Sequence, residues 1–132
     1  MSVGTTRSEY VLIFRNTGWH KDLSAEEIQE NMAQFTAWFE KLNGEGKFKD
    51  GGPLAHHGKT LSSDTDVVDG PFAESKEEIA GFFIIRAASL AEAVEIAKGC
   101  PGLRFGQRVD VRAIVPEPHE LGFARAKAGN LH

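Results

Sequence analysis

The densest group of side chains able to do chemistry lies just past the middle of the chain, where Asp69-Gly70-Pro71-Phe72 is followed by Glu74, Lys76, Glu77 and Glu78. Pro71 fixes its own φ and pushes Gly70 out of the helical region, and Asp69 can accept hydrogen bonds from nearby backbone N–H groups. A turn this stiff serves one of two ends. It anchors Phe72 in a core, or it holds Asp69 at a cleft edge as a general base or ligand contact. The polar run behind it is either a solvated face or part of a site. In a site, Asp69 and Glu74 would flank a small polar ligand and Lys76 would neutralise an anionic group on it.

His56 and His57 are the other proton carriers of interest. They are adjacent in an extended segment, so their side chains point to opposite faces and cannot both bind one metal. One of them, facing inward, would shuttle a proton near neutral pH with Asp66 or Asp69 orienting it; the alternative is a surface histidine in a hairpin. A zinc or manganese site built from either histidine with Asp64, Asp66 or Asp69 lacks any recognised ligand spacing, and neither a metal nor another cofactor is expected. Cys100 precedes Pro101 at a helix C-terminus, the wrong end to activate a thiolate, and reads as structural. Gly51-Gly52-Pro53 lacks the Lys-Ser/Thr of a phosphate loop. Trp19 and Trp38 read as packing groups, and Trp38, beside an apolar stripe, can also line a cavity at a dimer interface.

The elements that must position these groups follow from periodicity. YVLIFR at 10–15 and FFIIRA at 82–87 are nearly continuous apolar runs, the mark of strands covered on both faces. A helix is predicted over 24–42, opened by a Ser24/Glu27 capping box with Leu23 and Ile28 spaced as a staple; Ile28, Met32, Phe35, Phe39 and Leu42 form its apolar stripe. Residues 44–53 hold a short extended segment around Phe48. Residues 54–61 and 65–68 read as a hairpin about Ser62-Ser63-Asp64, and Ser75 with Glu78 suggests a brief helical turn. A second helix starts at a Ser89/Glu92 box, with Leu90, Ala93, Val94 and Ala97 on one side, and stops at Gly99 and Pro101. Residues 109–115 alternate as a half-buried strand. The order fits an α+β fold, a ferredoxin-like βαββαβ unit with an added β-hairpin. Two helices cover one sheet face only, and a homodimer with sheets face to face would cover the other, giving a dimeric α+β barrel.

Composition bounds the functions. The 132 residues are 41% hydrophobic and 26% charged with a formal charge of −4, which fits one domain over 1–116 and a tail, 117–132, too polar to be core and expected to pack on a dimer partner. The only positive clusters are Arg104–Arg108–Arg112 and Arg125 with Lys127, so nucleic acid is not an expected partner. No apolar stretch reaches the roughly 20 residues of a membrane span. The first ten residues lack the build of a secretion signal, and one cysteine excludes an internal disulfide; a cytoplasmic location is expected.

The segment DGPFAESKEEIAGFF at 69–83 resembles the signature of the YCII-related family in its DGPF form. The GKF…GGPL segment before it, LAEAVEIAKGCPG and the VDVRAIV ending are similar to family features as well, so the likeness covers about residues 9–116. The resemblance implies a dimeric α+β barrel. It also implies kinship with small lyase- or isomerase-like enzymes, in which a helix histidine paired with an aspartate is proposed to transfer protons. The equivalent helix here has no histidine: the position falls at or beside Phe35, with Gln34 the nearest polar group. DGPF-type relatives further imply an association with extracytoplasmic-function sigma factors.

Three readings follow. The favoured one is a homodimer binding a small polar or aromatic metabolite near Asp69, Phe72, Glu74, Lys76 and Trp38, in a sensing or regulatory role. The second is a lyase or isomerase using Asp69 with His56 or His57. The third is a protein-interaction module acting with a transcription factor.

Overall fold

The computed structural model describes residues 8–16, 22–55, 57–69 and 78–115. Strand β1 (Ser8–Asn16) leads to helix α1 (Ala25–Gly44), followed by β2 (Phe48–Pro53), β3 (Lys59–Leu61), β4 (Val67–Asp69), β5 (Glu78–Ala87), α2 (Leu90–Ala97), a 3-10 turn (Pro101–Phe105) and β6 (Arg108–Ala113). The fold is α+β. Four strands form one sheet in the order β2-β5-β1-β6, and β3 pairs with β4 in a separate two-stranded ribbon. All pairings are antiparallel. The predicted turn at Ser75 lies outside the described residues.

The caps form where the sequence places them. The Ser24 Oγ accepts from the Glu27 N–H at 3.1 Å, and a Glu27 carboxylate oxygen accepts from the Ser24 N–H at 2.9 Å, closing the box on α1. At α2 the Ser89 Oγ accepts from the Glu92 N–H. The Glu92 carboxylate, however, reaches back to the Ala88 N–H, one residue earlier than a regular box.

Both helices lie on one face of the sheet, where Leu12, Phe14, Phe83 and Ile85 join Trp38, Leu42, Ala93, Ile96 and Cys100 in a single core. A fully buried Leu12 or Ile85 is worth about 1.5–3 kcal/mol over an exposed one. Two details of the expected helix faces are corrected. Met32 is 63% exposed, and the buried line of α1 runs instead through Asn31, Trp38 and Leu42. In α2, Leu90 and Val94 are exposed while Ala93, Ile96 and Ala97 are buried. The cause in both cases is helix rotation: in α2 the turn of the helix brings Ala93, Ile96 and Ala97 inward and leaves Leu90 and Val94 outside, and in α1 Trp38 takes the inward position.

The β3–β4 ribbon is different in kind. Every described side chain from 57 to 68 is exposed, Leu61, Val67 and Val68 included. Its loop is held by a hydrogen bond from Ser62 Oγ to the Asp66 carboxylate and another from the Ser62 N–H to the Asp66 carbonyl.

Candidate functional site

A cleft of about 390 Å³ opens between α1 and one end of the sheet. The helix contributes Ile28, Asn31, Met32, Phe35 and Thr36. The sheet contributes Phe14 and Asn16 from β1, Gly52 and Pro53 from β2, and Ala80, Gly81 and Phe83 from β5, with Gln107 closing the end. The floor is aromatic: Phe14 and Phe83 meet edge to face at 5.1 Å, and Phe35 lies 5.5 Å from each.

Local backbone irregularity shapes the wall opposite α1. The β1–β5 register slips after Phe14, which pairs with Gly81 while Arg15 pairs with Ile79, so Ala80 is the extra residue of a bulge. Gly81 is needed there. A Cβ on it would sit 2.7 Å from the Gly52 carbonyl oxygen and force β2 off β5.

The polar lining is neutral. Gln107 Nε2 donates to Asn16 Oδ1 at 3.2 Å, while Gln107 Oε1 accepts from the Cys100 thiol at 3.5 Å. Gly102 makes room for that amide, since a Cβ would fall 2.2 Å from Gln107 Oε1. Burial pushes the Cys100 thiol up to about 11, against a smaller opposing effect of backbone contacts at Gly102 and Leu103. Cys100 is therefore a neutral hydrogen-bond donor, not a nucleophile. Thr36 Oγ1 donates to the Met32 carbonyl at 3.0 Å. Asn31 is 8% exposed, and its Oδ1 has no hydrogen-bond partner. No described residue lining the cleft titrates.

The candidates read from sequence are distributed as follows. Asp69 ends β4, in register with Lys59, and its side chain lies outside the described residues. His57 is exposed in the connection between β2 and β3 and does not line the cleft. His56, Phe72, Glu74 and Lys76 lie outside the described residues. Trp38 is buried, stacked on Phe83 at 5.5 Å, and borders a shallow groove with Cys100 and Arg104 rather than the cleft. Among the described residues no group of His, Cys, Asp or Glu is arranged to hold a metal ion, and no helix is long and apolar enough to cross a membrane.

Asn31, Asn16 and Gln107 were not singled out from the sequence. Asn31 carried a signal: it sits three residues after Ile28 and four before Phe35, a polar intruder at the spacing of the apolar stripe. Asn16 and Gln107 carried none, because they meet only through the β1–β6 pairing.

The profile of the YCII-related domain matches residues 10–116. The chain belongs to the YCII-related family. It is similar to the uncharacterized protein R00369 of Rhizobium meliloti (strain 1021), with 34% identity over 96 residues that cover 67% of this chain and 75% of that protein. In this YCII-related chain, Phe35 stands in the cleft. Its neighbour Gln34 points away, its amide donating to Glu30 at 3.2 Å.

Proposed function

We propose that this YCII-related protein is a binding protein for a small ligand, held in the cleft between α1 and the sheet, and that it works as a homodimer in a sensing or regulatory role. The observation that carries the reading is the cleft's lining. It combines an aromatic floor with neutral amide and hydroxyl groups, and no described lining residue can gain or lose a proton near neutral pH. Groups of this kind hold a ligand by ring contacts and neutral hydrogen bonds. The second reading remains proton transfer through Asp69 with His56 or His57; of these only His57 has a described side chain, and it is exposed and does not line the cleft.

The segment Asp69-Gly70-Pro71-Phe72 leads in sequence into β5, whose Ala80 and Gly81 line the cleft. Asp69, Phe72, Glu74 and Lys76 are accordingly proposed to add ligand contacts. The strand order β2-β5-β1-β6 is that of a ferredoxin-like βαββαβ unit once the β3–β4 ribbon is set aside, which supports that reading of the fold. The dimer is argued from the sheet face opposite the helices. Val11 pairs with Ile84 and Ile13 with Phe82 across β1 and β5, all half-buried. The patch is bordered by the ion pairs Arg15–Asp110 and Lys49–Glu9. Apposing two such faces gives an apolar centre with a charged rim.

Native mass spectrometry of protein purified without added ligand tests both parts. A dimer carrying a non-covalent small-molecule adduct is expected, and Thr36→Trp, an exposed helix position on the cleft wall, should remove the adduct and leave the dimer. An adduct that survives Thr36→Trp refutes the cleft as its seat. A monomer refutes the sheet pairing.

A further inference from the structure

Resting on the cleft reading, we infer that the ligand presents a neutral carboxamide or lactam on an aromatic ring, bound by the Asn31 side-chain amide over the Phe14–Phe35–Phe83 floor. Among the described residues, four polar side chains line the cleft: Asn16, Asn31, Thr36 and Gln107. Three of them already have protein partners. Gln107 is held between the Cys100 thiol and Asn16, and the Thr36 hydroxyl is returned to its own helix. Asn31 stands apart. It is more than nine-tenths buried, lies on the buried line of α1, and its Oδ1 is left without a hydrogen bond.

A leucine at this place would complete the stripe between Ile28 and Phe35 and remove the cost of an unmet buried acceptor. A buried amide whose oxygen has nothing to bond is a poor structural device and a good recognition device. A carboxamide presents a donor and an acceptor side by side, and a turn about χ2 exchanges them. Its natural complement is another amide, which answers both at once. Charge is disfavoured on the group that Asn31 meets, because none of the described residues lining this part of the cleft is cationic or anionic and an ionised group would be buried there unpaired. The three phenyl rings, meeting edge to face, offer a flat ligand ring the same offset or edge contacts they make with one another.

Three probes of one outline separate the possibilities: 2-naphthamide, 2-acetonaphthone and 2-naphthoate, titrated calorimetrically at pH 7 into the full chain, its Asn31→Leu variant and its Thr36→Trp variant. The amide should bind the unmodified protein about tenfold more tightly than the ketone, the difference one well-formed neutral hydrogen bond makes, with the carboxylate weakest. Asn31→Leu should bring the amide and the ketone to equal affinity, the amide losing more than the ketone, a change no folding defect produces. Equal binding of amide and ketone, tightest binding of the carboxylate, or an amide preference that survives Asn31→Leu overturns the ligand class while the cleft reading stands. If none of the three binds, the class is wrong. The cleft reading then also falls unless native mass spectrometry shows an adduct that Thr36→Trp removes.

Discussion

On one face of the sheet Leu12, Phe14, Phe83 and Ile85 are sealed beneath α1 and α2, while on the other Val11, Ile13, Phe82 and Ile84 remain half-buried beside Glu9, Arg15 and Asp110. The side chains are of one kind, come from the same two strands and alternate residue by residue. What differs is the partner supplied within the chain. Helices answer the first face completely, apart from the cleft end where Asn31 and Phe35 stand back from Gly81. Nothing described answers the second. The comparison explains why YVLIFR and FFIIRA read as continuous apolar runs: both faces ask for cover, and only one receives it from the described residues.

The largest effect should come from the covered face. Phe83 touches Phe14, Phe35, Phe39, Phe48 and Trp38 through ring contacts of 5.0–6.0 Å. Phe83→Ala should lower unfolding free energy by about 3–5 kcal/mol in urea titrations, and Ile84→Ala, one residue along but on the open face, by clearly less. Equal losses measured on a monomeric form would erase the distinction between the faces.

The open face is broken differently. Ile84→Asp places a carboxylate in the middle of the apolar patch and should weaken self-association at least about 100-fold in sedimentation equilibrium, with the helical circular dichroism unchanged. An unaltered association constant would move the dimer contact elsewhere.

Cys100 offers a test confined to the covered side, since it is almost wholly inaccessible and its thiol titrates near 11 rather than the usual 9.0. The sign follows from proton binding. Between those two pH values the unfolded chain releases the thiol proton and the folded chain keeps it, so the unfolded state is favoured as pH rises. Stability from this group is whole below pH 9 and falls by about 1.4 kcal/mol per pH unit above it, until the folded thiol itself ionises. Cys100→Ala should flatten that part of the stability profile; the same slope in both proteins would mean the thiol is not the group responsible.

How much of this was legible in the sequence depends on the range of the interaction. The capping box at Ser24 and Glu27, the strands at 10–15 and 82–87 and the two helices were readable because caps and periodicity act within a few residues. The exposure of Met32 was not, because a helix's rotation is settled by what it packs against; Trp38, buried against Phe14 and Phe83 of the sheet, decides it here. The cleft was the least visible. Gln107 reaches it through a partner 91 residues away, and the bulge at Ala80 exists only as a mismatch between two strands. The motif at Asp69–Phe72 drew attention because it is compact in sequence, whereas the described cleft is assembled from residues scattered over three strands, a helix and a turn.

The smallest effect sharpens the comparison most. Ser24→Ala removes the acceptor that holds the Glu27 N–H and breaks the reciprocal box, yet Ser24 is exposed and touches neither sheet face. The expected loss is about 1 kcal/mol of unfolding free energy, the usual worth of such a cap. If α1 covers its face through burial, with the cap only fixing where the helix begins, that loss should add to the Phe83→Ala loss within about 0.5 kcal/mol, since the two sites share no partner. It should also leave the association constant untouched, because the open face does not sense α1. A Ser24→Ala protein whose dimer weakens would show that the helix layer and the open face are coupled through the sheet. The two faces would then have to be treated as one cooperative unit.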